Sequence, residues 1–234
     1  MTMDWTAVLD ALISTQTPAL PAPALMRITQ PLSWAIVLTC IVMWVGRRWP
    51  RRLQFGLAGL LFVWTLIPGP VSPAFWLGLA FQMPSLTSGV VGLLIMVSIL
   101  RTGSCSPGSV PASLRAFQWA GLGGVLLGWL LLLDTFAVLP LSLYALGFSP
   151  VVLGVAALLA SLSWMVFGSQ QAGRPVSFLL GAVLLLYVLL RLPTGNVWDA
   201  LIDPLLWIAL QLGWLLRAAR WLSERWRARA PTRA

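Results

Sequence analysis

The chain has 234 residues, 59% of them hydrophobic and 9% charged, with a formal net charge of +9. A soluble domain carries about 25% charged residues, so this composition excludes an ordinary soluble core. All 15 basic residues are arginine and histidine is absent, which excludes Schiff-base chemistry, histidine general-base catalysis and histidine haem ligation.

In chain order, the stretch from Met1 to Asp10 carries Asp4 and Asp10 and leads into the polar, proline-rich Ser14 to Pro23. Without a basic leader it reads as a short extracytoplasmic segment, residues 1–27, and not as a cleaved signal. Apolar stretches follow at Ile28–Gly46, Leu53–Pro68, Ser85–Leu100, Ala116–Leu139, Val151–Gly168, Val176–Leu190 and Leu205–Leu216. A helix of about 20 apolar residues crosses a hydrocarbon core about 30 Å thick. The sequence therefore predicts an all-α, polytopic transmembrane bundle of about seven spans over residues 28–216, several of them short. Between Pro70 and Pro84, Val71–Gln82 is apolar but too short to cross, so residues 71–83 are expected to form an interfacial or re-entrant segment. The basic tail, residues 217–234, interleaves arginine with Trp221, Leu222 and Trp226, a pattern suited to anionic lipid headgroups.

Threading seven spans alternately gathers Arg47, Arg48, Arg51, Arg52, Arg101, Arg115, Arg174 and the tail arginines Arg217, Arg220, Arg225, Arg227, Arg229 and Arg233 on one side. Arg27 and Arg191 fall on the other, with Asp4, Asp10, Asp199 and Asp203. The positive-inside rule then places the N-terminus outside and the C-terminus in the cytoplasm of a bacterial-type inner membrane. An even number of spans would destroy this asymmetry. The excess charge lies at span ends, so lipid headgroups explain it without nucleic acid.

The three outward hairpins share a pattern. Each has an X-Pro step (Ile67-Pro68, Leu139-Pro140, Leu192-Pro193), a short apolar segment (Trp76–Leu79, Tyr144–Leu146, Trp198–Leu201) and a second proline (Pro84, Pro150, Pro204). The spacings differ between copies, so true repetition stays open. Small residues mark close helix approaches: Gly121, Gly124 and Gly128, Ala156 with Ala160, Gly56 with Gly59, and Gly89 with Gly92. Of the 14 tryptophans, Trp49, Trp76, Trp119, Trp198, Trp221 and Trp226 sit near span ends as an interfacial belt; others, such as Trp34, Trp129 and Trp207, lie deeper.

Three carboxylates carry most of the chemical interest. Asp134, in LLLLDTF, is the one acid inside a strongly apolar run, and a buried charge there must pair, face the bundle interior or be protonated. It reads as a site for coupling ions or substrate, with Arg191, the arginine that breaks the bias, as its natural partner. The plainer alternative is a near-interface Asp bonded to Thr135 or an arginine. Asp199 joins the candidate substrate or ion site. Asp203 before Pro204 has the form of a helix N-cap with proline at the first helical position, and Asn196 is expected to cap or turn the preceding loop. Cys40 and Cys105 would lie too far apart in the topology for a disulfide. No metal-ligand spacing, phosphate loop or nucleophile elbow is present, so no metal, cofactor or catalytic residue is expected. The leading expectation is a small transporter or permease-type component. The alternatives are a non-catalytic subunit or assembly partner, bound to another membrane protein or to itself, and an enzyme acting on a lipid-linked substrate.

Overall fold

The computed structural model describes residues 20–102, 117–167 and 174–229, with residues 6, 10 and 12–14 ahead of them. Asp4, Cys105, Arg115 and Arg233 lie outside the described residues, as do the side chains of Trp119, Arg174, Arg227 and Arg229. The described chain is all-α, without a strand. Seven long helices coincide with the seven apolar stretches: α1 Pro23–Val45, α2 Arg51–Leu66, α4 Leu86–Thr102, α5 Phe117–Thr135, α7 Pro150–Phe167, α8 Arg174–Leu190 and α10 Pro204–Arg229. Between them stand three short ones, α3 Pro73–Phe81, α6 Leu143–Leu146 and α9 Val197–Leu201, one in each hairpin. α3 occupies the stretch expected to be interfacial or re-entrant. A 3-10 turn, Gly46–Arg48, links α1 to α2.

Proline sets many of the boundaries. It stands at the first position of α1, α3, α7 and α10, where its missing N–H costs nothing and its fixed φ favours the helix. At the end of α5, Ala137 takes φ +53 and the Val138 amide returns to the Leu133 carbonyl at 3.0 Å, a left-handed cap that satisfies terminal carbonyls. α10 runs unbroken through Arg217 to Arg229, so the basic tail begins as a continuation of the last helix and not as a separate one.

Helices α2, α1, α4, α8 and α7 pack as successive neighbours, and α5 packs on α10. The α5–α10 contact is made by the glycines expected to allow it. A Cβ on Gly124 would meet Leu210 at 2.9 Å and one on Gly121 would meet it at 3.3 Å; on Gly128 it would intrude on the Trp207 ring. That ring stacks edge-on against Trp129 with centroids 5.2 Å apart, and its Nε1 donates to the Val125 carbonyl at 3.2 Å. The indole thus fills the space the glycine leaves.

The core is mainly apolar, with Trp34, Val183, Leu192 and Val197 buried, yet polar residues share it and many leucines face outward. Fully buried positions include Asn196, Thr65, Ser72 and Ser85, whereas Leu60, Leu159, Leu189 and Leu215 are at least 60% exposed. Among the described residues only Pro23–Arg48, with mean hydropathy 1.7, is long and apolar enough by itself to cross a membrane, and just 28% of its window is buried. Leu86–Arg101, Ala120–Thr135, Pro150–Met165 and Val176–Leu190 are apolar but shorter.

Gly128→Leu is expected to drive α5 off α10 and destabilise the fold by about 1–3 kcal/mol through overpacking. Gly123→Leu, facing open space, should be tolerated. Thermal unfolding of the two purified variants checks this, and equal midpoints would contradict the packing.

Candidate functional site

The three hairpins meet at one end of the bundle, and side chains bonded to backbone hold them there. In the first hairpin, Ser72 caps α3: its Oγ accepts from the Ala74 amide at 3.1 Å and donates to the Thr65 carbonyl at 2.7 Å. The Gln82 carbonyl, just past α3, accepts from Trp34 Nε1 at 3.0 Å and Gln30 Nε2 at 3.3 Å, both on α1.

The second hairpin is organised by Asp134. Its Oδ1 accepts from the Leu143 amide at 3.1 Å and its Oδ2 from the Tyr144 amide at 2.7 Å. These are the first amides of α6, that of Leu143 also reaching the Leu141 carbonyl at 3.0 Å, and the N-cap residue Ser142 makes no side-chain capping bond, so the carboxylate caps α6 from the preceding helix. This corrects both expectations for its partner. Thr135 bonds the Leu131 carbonyl instead, and no ion pair joins Asp134 to Arg191 among the described residues. Arg191 takes φ +55, and its guanidinium lies over the Tyr187 ring, 5.4 Å from the centroid.

The third hairpin clasps the other two. Asn196, fully buried, caps α9 by accepting from the Trp198 amide at 2.9 Å and donates Nδ2 to the Tyr144 carbonyl at 2.9 Å. Trp198 Nε1 donates to the Leu143 carbonyl at 2.9 Å, and the Val197 amide to the Gly147 carbonyl at 3.0 Å. Any side chain on Gly147 would collide with Asn196 and Trp198. Asp203 binds the first hairpin. Its Oδ1 accepts from the Leu206 amide at 2.9 Å, capping α10. Its Oδ2 accepts from the Ser85 amide at 2.8 Å, the Ser85 hydroxyl at 2.7 Å and the Ser88 hydroxyl. Ser85 in turn caps α4 by accepting from the Ser88 amide at 3.1 Å, so one carboxylate ties two helix starts together.

Asp199 stands apart from this framework. Its Oδ2 accepts from the Tyr144 hydroxyl at 2.7 Å and from the Thr194 hydroxyl, while its Oδ1 carries no hydrogen bond among the described residues. Partial burial first, and the Asp199 carboxylate second, raise the Tyr144 pKa above its usual value. The phenol therefore stays protonated near neutral pH, and this link contributes stability that is fully present below the usual phenol pKa and is lost as pH rises from there through the raised value.

Asp199, Tyr144 and Thr194 line an open hollow of about 280 Å³, shared with Asp203 and with Ala80, Phe81, Gln82, Met83, Pro193, Ile202 and Pro204. All three hairpins contribute, and among the described residues no arginine does. Asp199 and Asp203 are thus brought together at the hollow; Asp134 and Arg191 are not among its lining residues. Tyr144, Thr194, Ser85 and Ser88 were not singled out in the sequence. Only the short-segment pattern around Tyr144 pointed there, since the partners are 55 residues apart for Tyr144 and Asp199 and 115 for Ser88 and Asp203.

No protein-family model matches this sequence, and neither a curated protein nor a solved structure matches it.

Asp203→Ala removes an N-cap and leaves the Ser85 amide without its acceptor, so a loss of about 2–4 kcal/mol is expected. Asp203→Asn keeps an acceptor for the Leu206 amide and should lose less. Chemical unfolding of both variants checks the order; equal stability of Asp203→Ala and the parent would contradict the double cap.

Proposed function

We propose that this chain is a multi-pass protein of a bacterial-type inner membrane, with seven spans, N-terminus outside and C-terminus in the cytoplasm. In it the hairpin end is the outward face. Exposed leucines on the long helices and the segregation of arginines support this reading. The tail helix, with Arg225 stacked 3.8 Å over Trp221 and Trp226 exposed, suits the anionic cytoplasmic headgroup layer.

Within that membrane the protein acts as a small permease-type component whose outward hollow receives a cationic solute. One observation carries this: Asp199 lines a hollow to which no cationic side chain contributes among the described residues, and one of its carboxylate oxygens carries no hydrogen bond there. An uncompensated carboxylate in a confined site favours a cation over an anion. Asp134, the residue the sequence put forward for coupling, serves the backbone instead, so the binding role falls to Asp199. A second reading, a subunit or assembly partner, is favoured by α2, where Gly56 and Gly59 face open space and would admit a helix of another protein or of a second copy. An enzymatic role draws no such support, because Asp134 and Asp203 are engaged as caps.

Melting the purified protein with matched panels of ammonium, neutral and carboxylate compounds, in soluble and micellar forms, tests the binding role. Ammonium compounds in at least one of the two forms are expected to raise the midpoint in the parent and not in Asp199→Asn. Stabilisation by anions or neutral compounds alone would contradict it.

A further inference from the structure

Helix α1 serves as a depth gauge for the hollow. Its inner end is marked by Arg47 and Arg48, directly after Gly46. A hydrocarbon core about 30 Å thick takes about 20 helical residues, so the outer boundary falls near Met26. The Gln82 carbonyl, on the rim of the hollow, is bonded to Gln30 and Trp34. That rim lies about four to eight residues inside the boundary, or about 6 to 12 Å deep.

Helix α3 ends at this rim, and its apolar side chains turn away from the protein: Trp76 is 61% and Leu79 69% exposed, with Phe75 and Phe81 also outward. At that depth they meet acyl chains, which makes α3 re-entrant. The irregular backbone before α3 is equipped for such a setting. Trp64 Nε1 donates to the Val71 carbonyl at 2.8 Å and Trp76 Nε1 to the Pro70 carbonyl at 2.7 Å, so indoles of the same hairpin take the place of water.

The hollow therefore has two unlike walls. Ala80 and Phe81, both exposed, border it on the lipid side, and Tyr144, Thr194 and Asp199 on the polar side. Its volume of about 280 Å³ suits a headgroup and not a two-chain lipid. A carboxylate oxygen that lacks a donor rewards N–H groups, which a quaternary ammonium does not have.

Resting on the hollow as a cation site in a membrane protein, we infer that its ligand is an amphiphile of the outer leaflet with a primary ammonium headgroup. It enters sideways past Leu79 and Phe81. The ammonium donates to Asp199 Oδ1, and the chains stay on the α3 face.

Delipidated protein melted with phosphatidylethanolamine, phosphatidylcholine or phosphatidylglycerol in mixed micelles, and with free ethanolamine, tests this. Phosphatidylethanolamine is expected to raise the midpoint by several degrees, more than the other two lipids, with no effect of ethanolamine at equal concentration. Asp199→Asn should abolish the increment. So should Ala80→Trp, which fills the exposed rim without touching the carboxylates and carries the test alone if Asp199→Asn does not fold. A full shift with ethanolamine would overturn lateral entry and leave the cation site standing. Equal shifts with all three lipids, unmoved by either variant, would overturn the proposal.

Discussion

A carbonyl or amide outside a helix must find a partner inside the protein wherever water is excluded, and the hairpin end is organised by that constraint. Three hairpins interrupt the helices there, and each exposes orphan groups. Carboxylates and one amide side chain supply the acceptors: Asp134 for the start of α6, Asn196 for α9 and Asp203 for α10. Tryptophan indoles supply the donors, from Trp34 to Gln82, Trp64 to Val71, Trp76 to Pro70 and Trp198 to Leu143. Because several of these bonds cross between hairpins, satisfying the backbone and joining the hairpins are one act. Where the bonded group is shielded, as at Asn196, loss of its partner costs more than the bond itself contributes.

The same constraint accounts for the division of labour among the acids. Asp134 and Asp203 hold amides in fixed directions and gain their stabilisation from doing so. Asp199 bonds only hydroxyls, through one oxygen, and the other carries no hydrogen bond among the described residues. A framework rigid enough to hold that oxygen in place is what a binding site requires, and the clasp of Asn196 and Trp198 on the second hairpin provides it.

The helices were legible because their signals are local. Apolar runs, prolines at first turns and clustered arginines need no partner to be recognised, and the Asp203-Pro204 step announces its cap by adjacency alone. Gly128 was legible for the same reason, although the sequence could not say that Trp207 would fill its place. The site was less legible because it is made of distant pairs. Asp134 has a plausible electrostatic partner in Arg191, and charge reasoning selects it; the structure supplies instead two amides nine and ten residues away, which no side-chain code records. Ser85 and Ser88 are inconspicuous until Asp203 arrives from 115 or more residues further along. Trp76 and Trp198 read as parts of an interfacial belt and Trp34 as a deeper residue, and depth preference alone does not reveal their service as donors to loop carbonyls.

The membrane reading places all of this at the outer face, with short helices completing a body whose spans are individually brief. Reporter fusions at each end of the full chain, one active only in the cytoplasm and one only outside it, test that placement most directly. The C-terminus is expected inside and the N-terminus outside. Both ends in one compartment, or an untagged chain recovered as a soluble species without detergent, would contradict the account.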